Sequence, residues 1–178
     1  MPTIKEVTVA PSLELFSELV ELLQDSVAGH ASIGWTAVPD TREARNYWTG
    51  VLEAVGRGER LLFVATDNHV CAGAIQLALV SKQNGRHRGE VQKLLVHSQY
   101  RRRGIGRALL TELERAAAAR GLTLLVLDTI TGSSAEQLYR GAGYQFVGTV
   151  PGYARSTHGV LEATAVYYRK LAAAAPRP

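Results

Sequence analysis

The sequence is poor in the residues that build covalent, metal or membrane structures. It has one cysteine, one methionine and five histidines in 178 residues. Cys71 has no partner for an intrachain disulfide, and the histidines lack the spacing of a metal site. There is no apolar run near the ~18 residues of a membrane span, and the first residues lack a secretory signal pattern. We therefore expect a cytoplasmic protein with no metal and no membrane partner.

Charge is modest and gathered at one place. Charged residues make up 20% of the chain and the formal net charge is +4. One dense basic cluster stands out, Arg101, Arg102, Arg103 and Arg107. No second basic stripe with interleaved aromatic residues supports a nucleic-acid groove, so we expect no nucleic-acid partner. The cluster favours a small anionic ligand such as a phosphorylated cofactor.

The length suits one domain, and no linker or internal repeat divides the chain. We assign residues 1–172 to this domain. Residues 173–178 have the sequence AAAPRP, which is rich in small residues and proline, and we expect them to fray.

The first half has the pattern of an antiparallel meander with two helices. Ser12 is suited to cap one helix, and Asp40 with Glu43 has the spacing of a capping box for the other. A glycine-flanked joint, residues 29–34, separates the helices. We predict strands at 4–9, 60–67, 70–82 and 89–97.

The second half alternates helix and strand. We predict helices at 104–120 and 134–141, and strands at 122–128, 146–150 and 163–171. Ser133 with Glu136 has the spacing of a capping box for the second of these helices. This alternation indicates parallel pairing late in the chain, so the fold class is a mixed α+β sheet flanked by helices.

A helix start with glycines follows the arginine run. Amides at a helix N-terminus are unpaired and attract phosphate, and Gly104 and Gly106 allow close approach. A Walker A motif is absent. A dinucleotide fingerprint would need glycine where the chain has Leu109, and too few residues follow for that fold. A plain turn with solvated arginines is the alternative.

Two motifs in order resemble the GNAT N-acetyltransferases. The first is Arg101-x-x-Gly104-x-Gly106 after a strand, and the second joins Ala135–Tyr139 to Gly143-Tyr144 and Phe146–Gly148. The resemblance implies an antiparallel N-terminal meander, splayed parallel central strands and acetyl-CoA as co-substrate. Gly132 departs from the asparagine common at that place in the family. The implied cofactor-binding residues are Leu94, Leu95, Val96, Arg101, Arg102, Arg103, Gly104, Ile105, Gly106, Arg107 and Ser134.

The resemblance also implies catalytic roles for three side chains. Tyr139 would protonate the departing thiolate, and Glu90 and Asp128 would line the gap between the splayed strands as candidate bases. The plainer readings are a buried aromatic for Tyr139, a surface ion pair with Arg88 or Lys93 for Glu90, and local amide contacts for Asp128.

The implied acceptor is a small primary amine. Segments at 30–34, 90–96, 127–129, 151–154 and 163–171 resemble the tabtoxin-resistance branch of the family. This resemblance, which spans nearly the whole chain, implies a β-lactam amino-acid toxin or a similar antibiotic as the acceptor. Residues 29–34 with Tyr153 and Arg155 would then form walls of the pocket. Two alternatives stay open: acetylation of protein N-termini, and a non-catalytic acyl-CoA sensor or nucleic-acid-binding module.

Overall fold

The computed structural model describes residues 2–8 and 10–172. The tail at 173–178, for which fraying is expected, and residue 9 of the first predicted strand lie outside this range. The elements in chain order are β1 (Thr3–Glu6), α1 (Leu13–Ala28), α2 (Thr41–Gly56), β2 (Arg60–Asp67), β3 (Val70–Leu79), β4 (Arg88–Val96), α3 (Ile105–Ala119), β5 (Leu124–Ile130), α4 (Ser134–Gly141), β6 (Gln145–Arg155) and β7 (Leu161–Lys170).

The predicted helix starts of the first half are confirmed. The Ser12 side chain accepts from the amide of Leu15 at the start of α1. Asp40 and Glu43 form the complete capping box of α2, with each side chain accepting from the backbone amide of the other residue. These contacts satisfy amides that have no partner inside the helix, which fixes where each helix begins.

The seven strands form one mixed sheet in the order β1-β2-β3-β4-β5-β7-β6. The meander β1 to β4 is antiparallel throughout, as predicted. Parallel pairing occurs between β4 and β5, whereas β7 pairs antiparallel with both β5 and β6. The prediction of parallel pairing late in the chain therefore extended too far. The link between β6 and β7 is short enough for a hairpin, and a hairpin is antiparallel by geometry.

The central strands separate after a short parallel contact. Their pairing runs from Arg88 opposite Leu124 to Glu90 opposite Val126, although both strands continue beyond these residues. On its other side, β4 carries a bulge between its pairs with β3, where Lys93 has a positive φ of 50°. The two strands thus enclose a gap at the middle of the sheet, as the family resemblance implies.

Each face of the sheet is covered by helices. The α3 face is apolar, and Leu109, Leu110 and Leu113 of that helix are at most 1% exposed. Burial of each such leucine contributes roughly 1.5–3 kcal/mol. The opposite face packs against α1 and α2 through residues such as Trp48 and Leu62. Among the described residues, no helix combines the length and hydropathy needed to cross a bilayer.

Candidate active site

The N-terminus of α3 differs from those of the other three α-helices in the described chain. Helices α1, α2 and α4 each have a side chain that accepts from a first-turn amide, contributed by Ser12, Asp40 and Ser133. The N-cap of α3 is Gly104, which has no side chain to cap the helix and adopts φ 78° and ψ 0°. The first amides of α3 are therefore available to an external anion, and the helix dipole adds positive potential there.

Gly106 allows this helix start to lie close to its neighbours. A Cβ atom at Gly106 would lie 3.0 Å from Cδ1 of Leu138 on α4 and 3.7 Å from Cγ2 of Val96 on β4. The absence of a side chain thus brings the α3 N-terminus against the strand and helix that border the gap.

Most arginine side chains of the basic cluster contact the protein itself. Arg101 donates from Nε to the carbonyl of Val96 at 3.1 Å, and Arg107 donates to the carbonyl of Gly141 at 2.8 Å. Arg103 lies over the Tyr100 ring and forms an ion pair with Asp67 at 3.7 Å. These contacts hold the loop in place. Arg102, which is exposed and has a φ of 61°, has no such hydrogen bond or ion pair to another described residue.

The remaining cofactor candidates lie on β4 and α4. Leu94 and Val96 pack toward the α3 face and Leu95 is buried on the opposite face. Since pairing between β4 and β5 ends at Glu90, the backbone edge of these three residues borders the gap. Ser134 is exposed at the first residue of α4.

Tyr139 points into the core from α4. It is 5% exposed, and its ring meets that of Tyr144 edge-on with 5.6 Å between centroids. Burial, together with the negative charge of Asp128, raises the pKa of the Tyr139 phenol well above its ordinary value of 10.0. The phenol is therefore protonated at neutral pH and can serve as a proton donor.

The α4 helix is anchored by Glu136, but not through the capping box that the sequence predicted. Ser133 does accept from the amide of Glu136 at 3.1 Å. The Glu136 carboxylate, however, accepts from the amide of Gly132 at 2.6 Å and from the hydroxyl of Tyr167 at 2.5 Å. These bonds, with Tyr167 first, lower the pKa of Glu136. The turn at Gly132, with a φ of 80°, brings its amide rather than that of Ser133 to the carboxylate.

Glu90 and Asp128 lie on the same face of the sheet, opposite α3. Glu90 pairs with Val126, and Asp128 follows two residues later on β5, so strand alternation places both carboxylates on one side. Asp128 accepts from the hydroxyl of Thr164 at 2.8 Å. The structure therefore places the two candidate bases on the two strands that border the gap.

A continuous hydrogen-bonded chain extends from Glu90 across this face. Gln92 donates to Glu90 at 2.8 Å, and Arg60 donates to Gln92 at 2.9 Å and also to Gln76. Gln76, which is fully buried, donates to the hydroxyl of Tyr47 at 2.9 Å. Burial raises the pKa of Tyr47, which keeps its phenol protonated. This chain of hydrogen bonds holds the Glu90 side chain in one orientation.

Lys93 is the residue of the β4 bulge, and its ammonium group lies on the same face. It donates to the carbonyl of Ile33 at 2.6 Å and lies 5.9 Å from the centroid of the Trp35 ring. Burial, followed by repulsion from Arg60, lowers the pKa of Lys93, and Asp128 and Glu90 partly oppose this effect. The bulge is what directs Gln92 and Lys93 to one face, because regular alternation would separate them.

The joint between α1 and α2 meets the hairpin that connects β6 to β7. Nδ1 of His30 lies 2.8 Å from Oγ1 of Thr157, and the rings of His30 and His158 stack with 4.3 Å between centroids. Arg155 donates to the carbonyl of Gly159 within this hairpin, whereas Tyr153 is 58% exposed. The resemblance implies that residues 29–34, Tyr153 and Arg155 form walls of the pocket. Residues 29–34 contact the tip of the hairpin through His30, whereas Tyr153 is largely exposed to solvent.

The polar chain that supports Glu90 was not predicted from the sequence. One signal was available, because Gln76 interrupts an otherwise apolar strand and a buried amide needs a partner. Arg60 and Tyr47 gave no comparable signal, since isolated arginine and tyrosine residues at element ends are common on protein surfaces.

Other reactive side chains among the described residues do not form a second site. Cys71 is 3% exposed, and burial raises the pKa of its thiol to about 12, which removes it as a nucleophile. Within residues 2–8 and 10–172, no group of three or more histidine, cysteine and acidic side chains is arranged to hold a metal ion.

Sequence comparison relates the chain to acetyltransferases. A profile of the acetyltransferase (GNAT) family matches residues 18–144, more than half of the chain. A segment of 86 residues, 48% of this chain, is 36% identical to the N-alpha-acetyltransferase 30 of Xenopus laevis. The matched segment covers 32% of that protein, so this chain spans about a third of its relative's length.

Solved structures share the whole architecture. The ribosomal-protein-alanine N-acetyltransferase from Brucella melitensis has a TM-score of 0.79 at 24% identity, over 95% of this chain and 99% of that chain. A phosphinothricin acetyltransferase from Sinorhizobium meliloti, crystallised with acetyl-CoA, has a TM-score of 0.78 at 22% identity, over 96% of this chain and 88% of that chain. At these identities the likeness establishes the fold.

Proposed function

The chain belongs to the acetyltransferase (GNAT) family, and we propose that it transfers the acetyl group of acetyl-CoA to the amine of a small β-lactam amino-acid toxin or a similar antibiotic. One observation carries this proposal. The gap between β4 and β5 has an uncapped helix N-terminus on one side and two carboxylates on the other. An anionic co-substrate and a cationic amine would thus meet at the gap from opposite faces.

The residues on the α3 side fit acetyl-CoA. The first amides of α3, with Arg102 beside them, would hold the pyrophosphate, and the free backbone edge of Leu94, Leu95 and Val96 would hold the pantetheine arm. Ser134 would lie beside this arm at the start of α4. When bound, acetyl-CoA supplies the acetyl group as a reactive thioester. The protein's contribution is to position it at the gap.

The residues at the gap divide the proton transfers. An amine is protonated at neutral pH and must lose a proton before it can attack a carbonyl, so Glu90 or Asp128 accepts that proton, directly or through water. Tyr139, kept protonated by burial, donates a proton to the departing thiolate. The polar chain from Tyr47 to Glu90 holds the base in one orientation.

The face of the sheet that carries Glu90 and Asp128, called the acceptor face below, is bordered by contacts between segments that support a small acceptor. The contact of His30 with Thr157 joins the α1–α2 joint to the β6–β7 hairpin, and Lys93 is bonded to the joint at Ile33. An extended peptide needs an open groove, whereas a small amino acid does not. The S. meliloti neighbour is named for an amino-acid substrate of this size.

A protein N-terminus is the second candidate acceptor, favoured by the 36% identity to an N-alpha-acetyltransferase over 86 residues. The deciding experiment measures CoA release with three acceptor sets: tabtoxinine-β-lactam with phosphinothricin, the standard amino acids, and N-terminal peptides. We expect the first set to give the highest kcat/KM. Faster release with peptides would transfer the proposal to proteins, and no release with any amine would favour an acyl-CoA sensor.

A pair of isosteric variants identifies the base. Glu90→Gln and Asp128→Asn each remove one carboxylate at the gap, and loss of a general base lowers turnover by roughly 10²-fold or more. We expect the larger loss for Glu90→Gln, because the hydroxyl of Thr164 already occupies one oxygen of Asp128. The reverse order would assign the role to Asp128.

A further inference from the structure

Two cationic side chains on the acceptor face have no acidic partner. Arg60 donates to the amide oxygens of Gln76 and Gln92, and Lys93 donates to the backbone carbonyl of Ile33. Neither belongs to any of the ion pairs formed among residues 2–8 and 10–172. Both lie on the face that carries Glu90 and Asp128.

The lack of a partner is costly for Lys93 in particular. Its ammonium group has one hydrogen bond, to the backbone carbonyl of Ile33, and burial lowers its pKa. Arg169, a partly buried cation elsewhere in the structure, is paired with Glu114 at 3.0 Å. An anion placed next to Lys93 and Arg60 would restore the missing compensation.

The backbone at Lys93 is strained in a way that directs its side chain to this face. Lysine is uncommon at positive φ, and the value of 50° occurs within the β4 bulge. Without the bulge, alternation after Gln92 would turn Lys93 toward the apolar α3 core. Strain at a position that carries a charged group typifies a binding or catalytic site.

We propose that Lys93 and Arg60 form a carboxylate-binding subsite, which makes the acceptor a free α-amino acid. This proposal rests on the proposed acetyltransferase function and specifies its substrate class. In this arrangement, Glu90 and Asp128 receive the ammonium group of the acceptor, and Lys93 and Arg60 receive its carboxylate. A zwitterion matches this arrangement, whereas a simple amine or an internal peptide unit does not.

Aromatic side chains supply a wall beside this subsite. The ring of Trp35 lies next to the Lys93 ammonium group and meets Tyr47 edge-on, with 5.0 Å between the two centroids. Tyr47 in turn accepts from Gln76, the partner of Arg60. The apolar part of a small amino-acid side chain would pack here, while the charged groups of the amino acid face these two pairs of side chains.

The test compares acids with their amides. Acetylation kinetics are measured for tabtoxinine-β-lactam and the standard amino acids, each beside its α-carboxamide, with wild type, Lys93→Met, Lys93→Arg and Lys82→Met. Lys82 is exposed in the loop between β3 and β4 and has no assigned role at the site, so Lys82→Met is the control. We expect Lys93→Met to raise KM for the acids about 10-fold or more and leave KM for the carboxamides unchanged, as loss of one charge-assisted hydrogen bond predicts.

The outcomes separate this proposal from the proposed function. Transfer to carboxamides as fast as to acids, or equal loss of both in Lys93→Met, would overturn the subsite while the acetyltransferase function stands. If Lys93→Arg, unlike Lys93→Met, still prefers the acids to their carboxamides, the subsite is supported. If none of the amines is acetylated, the proposed function is refuted instead.

A binding measurement tests the subsite without turnover. The ¹⁵Nζ resonance of Lys93 is titrated against pH with and without tabtoxinine-β-lactam. A bound carboxylate favours the charged amine, so we expect the acid, but not its carboxamide, to raise the Lys93 pKa. An unchanged titration at saturating acid would reject the subsite whether or not the protein turns over.

Discussion

The two sides of the central gap are built from different parts of the chain. On the α3 side, the groups available to a ligand are backbone amides and a strand edge, and most nearby arginine side chains hold the loop itself. On the opposite side, the groups are side chains from several strands and helices, linked by hydrogen bonds from Tyr47 to Glu90. The proposed binding of the co-substrate phosphates on the first side depends on backbone groups, whereas the second side can be changed residue by residue.

This difference predicts which substitutions matter. Backbone groups persist when a side chain is replaced, so the α3 side should tolerate many changes but not the loss of its glycines. A linked set of side chains is sensitive at every member, because each buried polar group left without its partner costs about 1–3 kcal/mol.

The largest expected effect is at Tyr139, which we propose as the proton donor to the leaving thiolate. Tyr139→Phe removes this phenol and should lower kcat by roughly 10²-fold or more, with little change in KM for acetyl-CoA. Because the pKa of Tyr139 is raised, wild-type kcat should show no loss near pH 10.0, the ordinary value for tyrosine. Steady-state kinetics between pH 6 and pH 10.5 provide the measurement.

Tyr144→Phe is the matched control for this variant. Tyr144 is equally buried and meets Tyr139 edge-on, but its hydroxyl has no assigned role at the gap. It should retain turnover near that of wild type. Turnover of Tyr139→Phe at the wild-type level would exclude the phenol as the proton donor.

The next effect is on stability. The Glu136 carboxylate accepts hydrogen bonds from the amide of Gly132 and the hydroxyl of Tyr167. Glu136→Gln removes the negative charge of this acceptor and should lower the free energy of unfolding at pH 7 by about 2 kcal/mol. Since the pKa of Glu136 is lower in the folded state, this contribution is present above the unfolded value, 4.5, and is lost as pH falls through the folded value.

Urea denaturation at pH 7 and at pH 3 measures the difference. The difference in the free energy of unfolding between wild type and Glu136→Gln should become smaller in acid, when the carboxylate becomes neutral. Glu21→Gln, on an exposed position of α1, is the control and should change little at either pH. If this difference in the free energy of unfolding stays constant with pH, the loss of stability in Glu136→Gln arises from packing and not from charge.

A smaller effect compares the two ends of α3. Gly104 and Gly121 have positive φ values of 78° and 81°, and alanine at either costs about 1 kcal/mol of stability. Only Gly104→Ala adds a methyl group beside the free amides, so it alone should raise KM for acetyl-CoA, by roughly tenfold. Calorimetry and cofactor kinetics on both variants measure this, and equal KM values would argue against a phosphate site there.

The smallest effect distinguishes two neighbouring arginines. Arg102→Ala should raise KM for acetyl-CoA about threefold at low salt, and the difference should fade as added salt screens the charge. Arg103→Ala should change KM less, since its guanidinium group is engaged by Asp67 and Tyr100. A larger effect for Arg103 would mean that its ion pair opens when acetyl-CoA binds.

Local patterns predicted much of the fold. The bounds of α4 matched the prediction, and the β2–β3 hairpin turned at Asn68 and His69 as expected. Helix caps succeeded because a cap is formed by residues three apart in sequence. Where a cap competes with a distant partner the prediction failed, as at Glu136, which bonds Tyr167 on β7.

The late strand topology and the acceptor face were harder to predict. Pairing of β7 with β5 depends on which strand is nearest in space, and alternation in sequence does not contain that information. Similarly, Arg60, Gln76 and Gln92 belong to three strands and become one chain of hydrogen bonds only when those strands align.

The sequence by itself determined the helix starts, the meander and the glycine turn before α3, because each depends on backbone preferences of a few adjacent residues. Tertiary structure alone decided where β4 and β5 part, which way the Lys93 bulge directs its side chain, and which polar groups meet across the sheet. These depend on register and packing between segments far apart in the sequence, and the energies of such contacts are absent from any local pattern.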